Sequence, residues 1–147
     1  MDGAQIRNAI EKDKQASKGF LGVFAKDTIP KVIPNRKPVF YIVNTDVARG
    51  PGKHWVTIFH PEHGPVEFMD SAGHAPGYYG FKGKFKHYPK RLQAHDSMVC
   101  GHYAVFFAIE RMKRKALHNV YKQFGTCKNR DCNDQFVRKY YFKLLNR

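Results

Sequence analysis

The sequence predicts an α+β fold in which a mostly antiparallel sheet packs on one central helix. Three observations predict it. The runs "VFYIVN" (Val39 to Asn44) and "HWVTIFHP" are short, β-branched and aromatic, as buried strands are. The second run meets a third, "PVEFMD", through "PEHG", a hairpin turn. From Cys100 onward the chain is apolar almost all round as far as Ile109, the pattern of a buried helix.

Taken in order, residues 4–14 carry Ile6 and Ile10 at helical spacing among charges, which predicts a short amphipathic helix. The stretch "KGFLGVFAKDTIPKVIPNRKP" is broken by Gly and Pro, so it reads as an irregular connection that buries Phe20, Leu21 and Phe24. "ARGPGK" is a loop between the first two strands, with His54 at or near the start of the second and Asp70 at the end of the third. A short strand fits within "KGKFKHY". The central helix is expected from Cys100 to about Leu117, turning polar at "ERMKRK" where it emerges to solvent. A last helix, from about Asn133 to Leu145, places Phe136, Tyr140 and Leu144 at four-residue spacing. The chain of 147 residues carries no repeat and no linker long enough to split it, so residues 1–147 read as a single domain.

Composition narrows the class. Apolar and aromatic content is ordinary for a globular protein, which excludes global disorder. The first residues lack the apolar core of a signal peptide, and no segment approaches the length of a membrane span. Three cysteines, an odd number, fit a reducing intracellular setting better than a disulfide framework. Lys and Arg number 26 against 12 Asp and Glu, a formal charge of +14 that favours encounter with polyanions, nucleic acid first among them. Two basic clusters supply candidate contacts. One is "KGKFKHYPKR", with Lys82, Lys84, Lys86, Lys90 and Arg91 interleaved with Phe85 and Tyr88. The other is "RMKRK", with Arg111, Lys113, Arg114 and Lys115. No groove-reading motif is present, so such contact is expected to be sequence-tolerant.

Chemistry concentrates elsewhere. A thiol protease needs a thiolate, an imidazole to carry the proton, an acid or amide to orient that imidazole, and donors for the oxyanion. Cys100 opens a helix, where the macrodipole and free N–H groups lower a thiol's pKa. Gly101 removes side-chain bulk beside the sulfur, as an approaching substrate carbonyl requires. The hairpin can bring His54 and Asp70 to the same end of the sheet. Gln93, seven residues before Cys100, lies in the loop leading to it, where its amide can join the Cys100 N–H as an oxyanion donor. Taken singly, each has a bland reading: a core cysteine, a surface histidine, a turn-forming aspartate, a surface glutamine. Only as a set do they hold four distinct chemical roles.

The motifs "IVNTDVARGPGKHW", "EFMD" and a glutamine seven residues before "CG" resemble the adenovirus-type cysteine endopeptidases and, more distantly, the SUMO- and NEDD8-specific proteases of the same superfamily. "GFLG" (Gly19 to Gly22) fits too, and the match is co-linear from about Phe20 to Met112. The resemblance implies a papain-like fold, His54 as general base and acid, Trp55 packed beside the site, Asp70 orienting the imidazole, Gln93 as oxyanion donor and Cys100 as nucleophile. It implies cleavage of capsid and core precursor proteins at small-residue sites containing Gly, by a monomer in the virion and in the host nucleus or cytoplasm, with DNA as an activator. No cofactor is required by the chemistry. The segment between Asp70 and Gln93 is shorter than in the adenovirus enzymes and lacks the cysteine that holds their activating peptide, which argues against a covalent peptide activator here. Asp at position 70 matches the SUMO proteases, whereas Val99 matches the viral branch. Cleavage of ubiquitin-like proteins is the alternative substrate. A non-catalytic nucleic-acid-binding core protein is the alternative class. Zinc held by Cys127, Cys132 and His118 lacks a second tight ligand pair, so no metal site is expected.

Overall fold

The computed structural model describes residues 1–147 as an α+β fold. Helix α1 (Gly3–Glu11) is started by Asp2. The Asp2 carboxylate accepts from the Gln5 N–H and the Gln5 side chain accepts from the Asp2 N–H, each at 2.8 Å, a reciprocal cap. Its Ile6, Ala9 and Ile10 face the core, and a short α2 (Lys14–Ser17) follows.

The sheet runs in the order β1-β2-β3-β4-β5: Phe20–Ala25, Val39–Asn44, Trp55–His60, Glu67–Met69 and Lys86–His87. β2–β3 and β3–β4 pair antiparallel, while the outer pairs, β1–β2 and β4–β5, are parallel, so the sheet is mixed, with an antiparallel centre. β1 corrects the expectation of an irregular connection. Its pairing with β2 slips between Phe20 and Val23, and Gly22 adopts φ 136°, open to glycine. Phe20, Leu21 and Phe24 are half-buried there rather than buried.

Alternation along β2 splits the core in two. Phe40 and Ile42 face the helices together with Phe59 and Met69, while Tyr41 and Val43 join Val56, Ile58 and Phe68 on the opposite face. That face is covered by side chains such as Phe81 and Phe85, so β2 is apolar on both sides and its run is continuous.

Helix α3 (Cys100–Met112) lies against β3 and is buried at ten of its 13 residues. It stops short of the expected Leu117, because Arg114 takes a left-handed conformation (φ 65°) and a separate α4 (Leu117–Lys122) follows. Helix α5 (Asp131–Leu145) packs on α3 through Phe136 and Tyr140, whose rings lie 5.4 and 4.9 Å from Phe106. Cys127, ahead of α5, and Cys132, in its first turn, form a disulfide, which removes both thiols from any zinc site. No helix is long and apolar enough to cross a membrane.

The second basic cluster is largely spent internally. Arg111 forks onto Glu67 at 2.7 and 2.8 Å and lies 4.4 Å over the Phe59 ring, so it clamps α3 to β4 and is no polyanion contact. Lys113 and Lys115 pair with the buried Glu110, at 3.2 and 2.6 Å, and Arg114 pairs with Glu62. In the first cluster Lys82, Lys84, Lys86 and Lys90 are exposed without a carboxylate partner. Phe85 and Tyr88, expected to alternate with them, turn inward instead: Phe85 packs on Phe68, and Tyr88 stacks on Tyr121 at 4.2 Å. Arg91 donates to the Gln93 carbonyl at 2.9 Å, bracing the loop before α3.

Candidate active site

The antiparallel register of β3 and β4 sets the start of one strand beside the end of the other, so His54 and Asp70 meet. His54 Nε2 lies 2.6 Å from Asp70 Oδ1. An imidazole has two nitrogens, and with Nε2 committed to the carboxylate, Nδ1 is the one left for Cys100. Cys100 is the first residue of α3, half-buried, and close enough to His54 for each to shift the other's pKa. The structure thus brings together the predicted acid, imidazole and thiol.

Asp70 is 2% exposed and fully subscribed. Oδ1 also accepts the Ala72 N–H at 2.9 Å. Oδ2 accepts the His74 N–H at 3.1 Å and the Tyr79 hydroxyl at 2.6 Å. Burial pushes its pKa up, but the His54 bond and charge, with the Tyr79 and Ala72 donors, outweigh that and hold it below the usual range. Tyr79, from the 3-10 turn Pro76–Tyr79, also stacks on the His54 ring with centroids 5.7 Å apart. Sequence reasoning missed it, since a tyrosine in a segment rich in Gly and aromatics carries no motif.

For His54, burial favours the neutral ring, yet hydrogen bonds to Asp70 and Cys100 and their charges raise its pKa to about 9. For Cys100, burial favours the thiol. The bond to His54, the imidazolium charge and the backbone N–H groups of Trp55 and Gly101 prevail, so the pKa is lowered. The two shifts in opposite directions favour a thiolate–imidazolium pair.

Gln93 is 5% exposed and held at both ends. Its Oε1 accepts the Ser71 hydroxyl at 2.7 Å and its Nε2 donates to the Ser97 carbonyl at 2.9 Å. A carbonyl can only accept, so the amide orientation is fixed, and the second Nε2 hydrogen has no protein partner. Gln93 lines a cleft of about 550 Å³ together with Cys100, His54, Trp55, Met98 and the loop of residues 47–53. That loop is folded on two side chains. Asp46 accepts the Val47 and Gly52 N–H groups at 2.9 and 3.1 Å, and Asn44 Oδ1 accepts those of Asp46 and Lys53 at 2.9 and 3.0 Å. A Cβ at Gly50 would collide with the Asp46 carboxylate.

Trp55 sits beside the site as expected, its indole N–H donating to the Met1 carbonyl at 2.9 Å. Gly101 also packs against the N-terminal residue. A Cβ there would meet the Met1 sulfur at 2.9 Å, so the glycine makes room for Met1. His95 and His102 take no part in this arrangement. His102 packs edge-on against Tyr141, and burial first, then nearby positive charge, lowers its pKa to about 4.

No family model matches the chain. Over 38 residues, 24% of its length, it is 47% identical to a cysteine protease of African swine fever virus. The match spans 14% of that protein, so it supports a relationship to cysteine proteases and no finer placement.

Proposed function

We propose that the chain is a thiol endopeptidase in which Cys100 is the nucleophile, His54 the general base and acid, Asp70 the orienting carboxylate and Gln93 an oxyanion donor. The observation that carries this reading is His54 held between Asp70 and Cys100 at the wall of a cleft that Gln93 also lines. The short likeness to a viral cysteine protease agrees with it.

In this mechanism the Cys100 thiolate attacks the scissile carbonyl, forming an S–C bond while the carbonyl π electrons move onto oxygen. The oxyanion is met by the free Gln93 N–H and the Cys100 backbone N–H. His54 gives its Nδ1 proton to the leaving amine as the C–N bond breaks, leaving a thioester. Water then attacks the thioester, His54 takes the water proton, and the S–C bond breaks to restore the thiolate.

Substrates on this reading are precursor proteins of a virus or virus-like element, cut at small-residue sites containing Gly, within the virion and the host nucleus or cytoplasm. DNA association rests on the four unpaired lysines of the first basic cluster. The reading is tested by hydrolysis of Gly-containing peptides and ubiquitin-like fusions, with and without DNA. Cys100→Ala is expected to abolish turnover, whereas equal turnover by Cys100→Ala removes the assignment. Preference for the fusions over the peptides shifts the substrate to ubiquitin-like proteins.

A further inference from the structure

His54 and Lys53 line two hollows. On one side lies the cleft holding Cys100 and Gln93. On the other lies a second hollow of about 510 Å³ walled by Lys26, Lys53, His74, Tyr78 and Tyr79. If the mechanism above holds, the two sides are not equivalent. The acyl half of the substrate stays bonded to Cys100 and faces Gln93, whereas the amine half receives its proton from His54. The chain that follows the scissile bond therefore leaves across His54, toward the second hollow.

The lining of that hollow is cationic. It contains no Asp or Glu. Of the nearby acids, Asp70 has both oxygens occupied by four donors, and Asp46 has both taken by backbone N–H groups. Lys26 and Lys53 have no carboxylate partner anywhere in the chain. Lys26 is half-buried and donates one of its three N–H groups to the Tyr79 carbonyl at 3.1 Å, which fixes its head and leaves two donors free. Tyr78 and His74 stack at 3.9 Å, 7° from parallel, as a flat rim. An anchored ammonium with free donors in a concave, acid-free wall is matched by a carboxylate, and it gains more from one than a fully exposed lysine does.

We propose that this hollow is a subsite for an acidic side chain, Asp or Glu, among the first residues after the scissile bond. The inference rests on the protease reading and adds a charge preference that the reading does not contain.

The test is a set of peptides identical up to the cleaved bond, carrying Glu, Gln or Lys at each of the three following positions in turn. At one position Glu is expected to exceed its isostere Gln by about tenfold in kcat/KM, with Lys poorest. Lys26→Gln should collapse the Glu-to-Gln ratio to near one, and Lys26→Glu should favour the Lys peptide. Lys53→Gln, at an exposed position where folding is not at stake, should reduce the ratio in part. Cleavage that depends on Cys100 but treats Glu and Gln alike at all three positions overturns the subsite and leaves the protease reading standing. Peptides cut equally by Cys100→Ala, or cut by neither protein, remove both.

Discussion

Ser71 donates its hydroxyl to the Gln93 side-chain carbonyl at 2.7 Å, one residue after Asp70 receives His54. Two consecutive residues thus orient His54 and Gln93, the proposed proton carrier and oxyanion donor. Ser71→Ala leaves the Gln93 amide held only by the Ser97 carbonyl, so kcat should fall about tenfold with KM little changed. Gln93→Ala should lose ~10²–10³ in kcat, the usual cost of one oxyanion donor. Steady-state kinetics on one peptide check both. Full kcat in Ser71→Ala means that Gln93 is positioned by other contacts.

Tyr79 hydrogen-bonds the carboxylate oxygen that His54 does not use. Removing the hydroxyl in Tyr79→Phe leaves more negative charge for the imidazolium, so His54 should hold its proton to higher pH. The alkaline limb of the kcat/KM profile should move upward and kcat should drop several-fold. A variant with lower activity and an unmoved limb points to ring packing alone, through the stacked contact with His54.

Gly101 has no room for a methyl group without displacing Met1, whose carbonyl holds the Trp55 indole. Gly101→Ala is expected to cost about 1–3 kcal/mol, as overpacking does. Thermal unfolding should show it as a lower Tm. An unchanged Tm means that Met1 moves aside freely and does not brace the cleft.

The two basic clusters should separate in a DNA-binding titration. Arg111→Gln leaves the buried Glu67 without its partner, so stability should fall by about 3 kcal/mol or more. Replacing Lys82, Lys84, Lys86 and Lys90 with Gln should leave Tm near its starting value, weaken DNA binding and flatten its salt dependence. Unaltered DNA affinity in the quadruple variant assigns the charge to another role.

Much of this was legible in the sequence where the physics is local. The apolar run after Cys100 has to be a buried helix, and two β-branched runs around a short turn have to pair. That pairing is what brings His54 to Asp70. Other features depend on conformation that pattern does not carry. β1 was hidden because Gly22 interrupts its alternation at a positive φ, and the end of α3 was hidden because Arg114 turns left-handed on a non-glycine residue. Ser71 and Tyr79 act by orienting other groups, and such roles need coordinates, since neither residue belongs to a spaced motif. The contact between Gly101 and Met1 likewise needs coordinates, since the two residues lie far apart in sequence. Charge counting overstated the polyanion surface because Arg111, Lys113, Arg114 and Lys115 have carboxylate partners far away in sequence or buried beneath them.

Cys100 is the one free thiol, so the proposed thiolate–imidazolium pair with His54 can be measured at a single site. Its pKa is lowered, so the thiolate persists below the ordinary thiol range, while His54 keeps its proton until about pH 9. Reactivity should therefore appear below the ordinary thiol range as Cys100 ionises. Catalytic turnover, which also needs the His54 proton, should decline as pH rises through about 9. The most direct measurement is the rate of iodoacetamide labelling of Cys100 from pH 4 to 10, in the wild type and in His54→Ala. Rapid labelling of the wild type is expected well below the ordinary thiol range, with His54→Ala slow there and rising only within that range. Superimposable profiles for the two proteins, both rising only at alkaline pH, contradict it.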